Sequence, residues 1–340
     1  MTSPPPPQGE GIHSNMPPNM VVFGPNANCT LDLCPVEYSV YGYRPSLGAN
    51  IAFIALYSLA IVLHAYLGVM WRQWWFTGCI LAGAINAVLG YAGRLLMYHN
   101  PFNFVGFMIQ VICVTTGPVY YCAAIYITFA MSIKHFSPEL SRFDPKLFYY
   151  IIIPCDIVSL VLQAAGGGLS TKSSGQSKVG IDLAIAGMIF QVVTIVVFCG
   201  FFADFLIRYF HSGAWEQEKH QPRSYHGHAT PKRLGLFFGF MGLAVLLILA
   251  RCTFRLVELR EGYGGKLVKD EALFIWLEGV MILASVYCLM VGHPGLVFQK
   301  SHQAHLQDLP NDTSNDESLR GKPSFATPAR SSRHGRGEDF

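Results

Sequence analysis

The sequence predicts an all-α membrane protein, a seven-transmembrane helix bundle with its N-terminus outside and its C-terminus in the cytosol. Composition is the first observation, because 51% of the 340 residues are hydrophobic and only 13% are charged, whereas a soluble domain carries about 25% charged residues. The second is a set of seven apolar segments close to the length of about 20 residues that a helix needs to cross a bilayer. The third is an unequal distribution of Lys and Arg between the segments that join them.

The seven helices are predicted where the apolar runs begin and end, at 47–70, 75–98, 104–133, 147–166, 180–207, 235–257 and 272–292. The third helix contains Pro118 and the fourth contains Pro154. A membrane helix tolerates proline because neighbouring groups can satisfy the freed carbonyls. In the sixth helix, Gly235 and Gly239 form a GxxxG pattern, which permits close packing of a neighbouring helix.

Basic residues set the predicted orientation, since the cytosolic segments of membrane proteins carry the excess of Lys and Arg. With the N-terminus outside, the inner segments hold fifteen of these residues and the outer segments hold six, while three lie within helices. Residues 1–19 lack the charged start and apolar core of a signal peptide, so the first helix is expected to direct its own insertion. The chain then divides into a Pro-rich extracellular tail (1–46), a transmembrane domain (47–296) and a polar, disordered cytosolic tail (297–340).

The extracellular tail carries two features typical of an oxidising, glycosylating compartment. Asn28-Cys29-Thr30 matches the N-glycosylation pattern, so Asn28 is a glycosylation candidate. Cys29 and Cys34 are the only cysteines outside the predicted helices. They could form a disulfide in an oxidising space, and two free thiols fit the sequence equally well.

Ionisable residues inside membrane helices are costly and usually face the bundle interior or a wet cavity. Five fall in the outer part of helices 2, 6 and 7: Arg94, Arg251, Arg255, Glu258 and Glu278. Steps of four and three place the three from helix 6 on one face. They form a candidate substrate-binding chamber, in which the arginines would offer paired donors to an anionic group such as a lipid phosphate. The alternative, given equal weight, is that the arginines pair with the glutamates and only hold the helices together.

A second polar set, Asp156, Gln163 and Gln191, lies in helices 4 and 5. These residues could act as a proton relay, but hydrogen-bonded contacts that fix helix packing explain them as well. His64 and His293 fall in the inner half and are interpreted as ordinary polar contacts. A catalytic zinc site needs about three protein ligands and a water. Too few His and carboxylate residues share one depth to predict a metal here.

Several short motifs follow one another along the membrane region: Tyr43-x-Pro45-x₄-Asn50, Gly90-Tyr91-x-x-Arg94, Asp156-x-x-Ser159-x₃-Gln163-x-x-Gly166-Gly167-Gly168, Gly187-x₃-Gln191, Arg251-x₃-Arg255-x-x-Glu258-x₃-Gly262, Glu271 and His293-Pro294. In this order and spacing they resemble the fungal lipid-translocating exporter family, named for resistance to aminocholesterol, which includes a sphingoid long-chain-base transporter. The resemblance runs over about 43–296. It implies a seven-helix fungal membrane protein that moves lipids or confers resistance to amphiphilic toxicants.

Two positions depart from the family pattern. Members often carry an acidic residue where this chain has Ala87, and Asp where it has Glu278. The first departure removes a potential partner for Arg94 or Arg251. It leaves the chamber more positive, or it shifts the pairing onto Glu258 and Glu278.

Residues and resemblance together predict a multi-pass protein, at the plasma membrane and not an enzyme, that translocates or exports membrane lipids or lipid-like amphiphiles of the sphingoid base or phospholipid class. No cofactor, metal or nucleic acid partner is predicted, and GYGGKL at 262–267 lacks the glycine spacing and the Ser/Thr of a nucleotide-binding loop. The alternative is a seven-helix receptor or sensor of membrane lipid state. Helix 7 has no Lys for a retinal Schiff base, and helix 3 lacks the acidic–Arg pair of the commonest receptor class.

Overall fold

The computed structural model describes residues 21–22, 24–136, 148–172, 178–211, 231–261 and 267–295. All regular secondary structure in these ranges is helical. Seven helices are long and apolar enough to cross a membrane: α1 Leu47–Trp71, α2 Trp74–His99, α3 Phe104–Phe136, α4 Ile153–Lys172, α5 Lys178–His211, α6 Pro231–Glu261 and α7 Glu271–Val291. The predicted all-α, seven-helix multi-pass architecture is thereby confirmed. The predicted cytosolic tail, 297–340, lies outside the described residues.

The helix ends differ from the predicted boundaries most in α4, α5 and α6. The first of these ends at Lys172, where 166 was predicted, and α5 and α6 contain 34 and 31 residues. Both extend past the apolar run at each end because Lys, Arg and Glu continue a helix as readily as apolar residues do. Hydropathy locates the part of a helix that lies in the bilayer, and the polar ends project beyond it. The extensions leave the register of the membrane-embedded residues unchanged.

Two helices contain π-helical segments. One, Phe148–Ile152, leads into α4, and the other, Phe274–Val280, occupies the first half of α7. A π segment is wound more widely than an α-helix and is frequent at functional sites. Glu278 lies in the second segment, so its direction into the bundle depends on an irregularity that residue spacing alone does not reveal.

Small residues and aromatic rings pack the helices together. A Cβ atom added to Gly93 in α2 would lie 2.7 Å from the carbonyl oxygen of Gly106 in α3, so these two helices approach backbone to backbone. A Cβ at Gly239 would meet nothing within 4 Å, and the predicted close packing through the GxxxG pattern of α6 is wrong at this position. Further along α3, the ring of Phe129 packs against Phe198 of α5, with centroids 5.5 Å apart.

One end of the bundle is covered by a cap, formed by residues 36–46 before α1 and by residues 267–271, which lead into α7 and include its first residue. Tyr41 is buried there in a cluster with Met97, Phe107 and Val268. The Ser46 N–H donates a 2.6 Å hydrogen bond to the carboxylate of Glu271, which ties the two parts of the cap together. The cap lies over the helix ends that carry the predicted chamber residues.

Cys29 and Cys34 are joined by a disulfide in the structure, with Cα atoms 5.7 Å apart. Both residues are buried against Phe102, in the turn that joins α2 to α3. The disulfide therefore anchors the segment that precedes the cap to the same end of the bundle. Asn28, the glycosylation candidate, is exposed beside it, and its side-chain oxygen accepts a 2.7 Å hydrogen bond from the Val21 N–H.

Candidate functional site

All five residues predicted for the outer chamber lie in the part of the chain that the structure describes. Four are almost completely buried, with exposed fractions of 1% for Arg94 and Arg251, 5% for Glu258 and 3% for Glu278. The Arg255 side chain is 15% exposed. Each of the three arginines contacts a carboxylate, and two of these carboxylates, Glu258 and Glu278, are the ones that the alternative of internal pairing names. The contacts form three ion pairs.

The first ion pair, between Arg251 and Glu278, joins α6 to α7. The Arg251 Nε donates to Glu278 Oε1 at 2.8 Å, and its Nη2 donates to the same oxygen. Nη2 also donates to the carbonyl oxygen of Val114 in α3, at 3.1 Å. This carbonyl is available because Pro118, four residues on, has no N–H to occupy it. The proline that the sequence places in α3 thus provides an anchor for a buried guanidinium.

The second ion pair ties Arg94 to the cap. Its Nη2 lies 3.4 Å from Glu271 Oε1 and 3.3 Å from the Tyr43 hydroxyl, and its Nε donates to Asn50 Oδ1 at 3.1 Å. The guanidinium carbon lies 3.9 Å from the centre of the Phe274 ring, within cation–π range. Sequence reasoning paired Arg94 with the other chamber residues and did not assign these partners. Three of these partners, Tyr43, Asn50 and Glu271, belong to the motifs that resemble the family, so the motifs could have indicated them.

The third ion pair lies within α6, where Arg255 Nη1 donates to Glu258 Oε2 at 2.7 Å across one turn. Tyr41 of the cap interacts electrostatically with this pair and with Arg94. Burial raises the pKa of Tyr41 well above its ordinary value, against the opposing effect of Arg94. Burial likewise raises the pKa of Tyr43. Both hydroxyls therefore stay protonated at neutral pH and can act as donors and acceptors above the chamber.

A cavity of about 20 Å³ lies beside the first ion pair, between α1, α2, α3 and α7. This volume holds about one water molecule. The polar side chains that line it are Tyr57, Tyr91, Tyr121 and Glu278. Glu278 Oε2 and the Tyr121 hydroxyl are buried and have no hydrogen-bond partner among the described residues. The site therefore combines space with unsatisfied polar atoms.

Ala87, the first departure from the family pattern, also lines this cavity. An acidic side chain at this position would occupy the space next to Glu278. In this chain Arg251 pairs with Glu278, one of the two glutamates expected to take over the pairing, whereas Arg94 pairs with Glu271, which was not expected. Glu278 is thus the carboxylate that lines the cavity.

The second polar set is divided into two parts. Gln163 Nε2 of α4 donates to Gln191 Oε1 of α5 at 2.9 Å, which is a contact between packed helices. Asp156 is 2% exposed, and neither carboxyl oxygen has a hydrogen bond of good geometry among the described residues. The hydroxyl of Tyr126 lies close enough to interact with it. Asp156 is therefore a buried carboxyl group next to a tyrosine hydroxyl and without an ion pair among the described residues.

The two histidines lie together at the opposite end of the bundle from the cap. Their ring centroids are 6.4 Å apart. His64 Nε2 lies 3.3 Å from the Val286 carbonyl oxygen, and His293 Nδ1 accepts a 3.0 Å hydrogen bond from the Gly295 N–H. Burial, together with the nearby His64 ring, lowers the pKa of His293 to about 3. Among the described residues, no three His, Cys, Asp or Glu side chains are grouped so that they could hold a metal ion.

Comparison with known proteins connects this architecture to one family. A family model described as "RTA1 like protein" matches residues 80–301. The sphingoid long-chain base transporter RSB1 of Saccharomyces cerevisiae (strain Lalvin EC1118 / Prise de mousse) is 31% identical over 287 residues, which cover 77% of this chain and 75% of that protein. No solved structure matches the chain.

Two further Saccharomyces cerevisiae proteins are similar. Protein RTM1 is 27% identical over 299 residues, which cover 75% of this chain and 92% of that protein. Protoporphyrin uptake protein 1 (strain ATCC 204508 / S288c) is 30% identical over 233 residues, which cover 64% of this chain and 66% of that protein. The family model, the transporter relative and the ordered motifs of the membrane region agree. The chain therefore belongs to the RTA1-like protein family.

Proposed function

We propose that this protein translocates lipids or lipid-like amphiphiles of the sphingoid base or phospholipid class across the plasma membrane, and that their export gives resistance to toxic amphiphiles. The similarity to a sphingoid long-chain base transporter, at 31% identity over 77% of the chain, supports this substrate class. The orientation that goes with export places the cap and Asn28 outside and residues 297–340 in the cytosol, as the distribution of Lys and Arg predicts.

The observation that carries the proposal is the Arg251–Glu278 ion pair beside the cavity. A protein that moves an amphiphile has to accept a polar headgroup between its helices while the alkyl chain stays in lipid. In the cavity, polar groups and space coincide inside the bundle. Intramembrane charges of this kind mark substrate pathways in membrane proteins.

The remaining site residues take supporting roles in the proposal. Arg94, held by the cap through Tyr43 and Glu271, keeps the cap end of the bundle closed over the cavity. Arg255 and Glu258 extend the polar face of α6 from Arg251 toward the cap. Asp156 is the candidate proton-binding residue if an ion gradient drives export, because its carboxyl is buried in the bundle and has no ion-pair partner among the described residues.

Reconstitution into liposomes tests the function. Purified full-length protein is reconstituted, and the transbilayer movement of a labelled sphingoid base and of a labelled phospholipid is measured against protein-free liposomes. We expect the protein to accelerate the movement of at least one of the two lipids. Saturable binding of either lipid without any acceleration would contradict a carrier and support the alternative, a seven-helix receptor or sensor of membrane lipid state.

A further inference from the structure

We propose that the cavity beside Glu278 is a binding site for a primary ammonium group, so that the headgroup of the transported amphiphile is recognised by a carboxylate and tyrosine rings and not by the arginines. This inference rests on the proposed function and names the chemical class of its substrate at that same site. The proposed headgroup is cationic, whereas the arginines of the sequence suggest an anionic one.

The arginines are engaged with carboxylates. Arg94, Arg251 and Arg255 each contact a glutamate at hydrogen-bonding or ion-pair distance. An anionic headgroup that bound to Arg251 would have to displace Glu278, and this would leave a second negative charge buried in the bundle without a partner. Leaving a buried charge unpaired is strongly unfavourable. The site is therefore poorly suited to phosphate as long as the ion pairs are formed.

Glu278, by contrast, has acceptor capacity left, although a bound ammonium group would make it the shared partner of two cations, so the second positive charge has to be stabilised by the polar and aromatic groups of the cavity as well. Both of the Arg251 donors that reach it bind the same oxygen, Oε1, while Oε2 is buried without a partner among the described residues. An ionised carboxylate only accepts hydrogen bonds, and an ammonium group only donates them. An ammonium nitrogen in the cavity could donate to Oε2 while Arg251 keeps Oε1, so the existing ion pair does not have to break.

Aromatic groups complete the site. Tyr57 and Tyr91 stack with ring centroids 5.8 Å apart, and both line the cavity together with Glu278. Tyr121 lines the cavity with them and brings a buried hydroxyl without a hydrogen-bond partner among the described residues. A hydroxyl oxygen can accept from an ammonium N–H. Aromatic faces attract cations by their quadrupole, more strongly where water is excluded.

The size of the cavity selects among cations. About 20 Å³ accommodates one water molecule, and a primary ammonium group is of similar size. A trimethylammonium group, as in a choline headgroup, is much larger and has no N–H to donate. Cys113 and Val114 also line the cavity and are only half-buried, next to the exposed Ile112. An alkyl chain attached to the bound amine can therefore leave toward the lipid along α3.

The test measures equilibrium binding to the full-length protein in lipid nanodiscs with three probes that share one alkyl chain. The probes are a C18 sphingoid base, its N-trimethyl derivative and its N-acetyl derivative. We expect the primary amine to bind at least tenfold more tightly than either derivative, because the first derivative is too large and the second is uncharged. Equal affinity for the three probes, or no binding of the primary amine, would overturn the ammonium site.

Two variants locate the binding to the cavity. Ala87→Leu fills the cavity and leaves all three ion pairs in place, so it should weaken amine binding at least tenfold. Glu278→Gln removes the charge and should do the same where the protein remains folded. Gly239→Ala on the open face of α6 is the matched control and should bind as the wild type does. Wild-type affinity in Ala87→Leu would overturn the assignment to this cavity.

Binding and transport can fail separately. If the primary amine binds selectively but the protein accelerates no lipid in liposomes, the ammonium site is retained and the translocation function is wrong. If lipid movement is accelerated but neither the probe series nor Ala87→Leu changes affinity, the function is retained and the ammonium site is wrong.

Discussion

Removing the charge of Glu278 should destabilise the protein more than removing the charge of any exposed ion pair. Glu278→Gln leaves Arg251, which is 1% exposed, charged and without its carboxylate. Breaking a buried ion pair from one side costs about 3–5 kcal/mol. Since about 1 kcal/mol lowers the unfolding midpoint by roughly 2–4 °C in a domain of 150–250 residues, the expected fall is on the order of 10 °C.

The assay is thermal unfolding of the purified protein in one detergent, followed by intrinsic fluorescence. Asp204→Asn is the control, because the Asp204–Arg208 pair is likewise an Arg–carboxylate pair of the membrane helices, within α5, but its side chains are 47% and 32% exposed. Exposed pairs contribute about 0–1 kcal/mol, so this variant should unfold within about 4 °C of the wild type. The double variant Arg251→Met/Glu278→Leu removes both charges and should recover most of the loss. An unfolding midpoint of Glu278→Gln equal to that of Asp204→Asn would refute the reasoning.

Three further outcomes are expected. Gly279→Ala places a methyl group on the Phe53 ring next to Glu278, whereas a methyl group at Gly200 of α5 meets nothing within 4 Å; only the first should lower the unfolding midpoint, and equal midpoints would contradict the packing. His293 has a folded pKa of about 3 against about 6.5 in the unfolded chain, so its contribution is present above pH 6.5 and is lost as the pH falls toward 3; His293→Gln should flatten the dependence of the unfolding midpoint on pH over this range, and an unchanged slope would argue against it. Asn28→Gln should increase electrophoretic mobility by the mass of one glycan if the N-terminus lies outside, and an unchanged mobility would count against glycosylation at this position.

The seven helices were predictable from the sequence because the hydrophobic thickness of a bilayer imposes a length on each apolar run. The ends of α4, α5 and α6 were not predictable in the same way, because a helix can continue through glycine and polar residues beyond its apolar run. The packing of the helices against one another was harder to predict than their ends. Whether a glycine faces another helix depends on how the helix is rotated. Gly93 and Gly106 are among the glycines that bring helices together, and Gly239 of α6 is not one of them.

The charged residues of the site were also predictable, because ionisable side chains stand out in an apolar sequence. Their partners depended on features that the sequence shows less directly. The π segment that contains Glu278 has no clear spacing signal, and Glu271 reaches Arg94 only because the cap folds over the end of the bundle. One contact of the site could have been predicted from the sequence. Pro118 frees the Val114 carbonyl, and a buried arginine is a suitable donor for it.

The role of the Arg251–Glu278 pair in lipid movement is tested most directly by a variant that keeps the fold and lacks the polar site. In liposomes that contain equal amounts of protein, the initial rate of sphingoid base movement is measured for the wild type and for Arg251→Met/Glu278→Leu. With an unfolding midpoint close to that of the wild type, the double variant should move the lipid no faster than protein-free liposomes do. A rate equal to that of the wild type would show that lipids cross the membrane without this site.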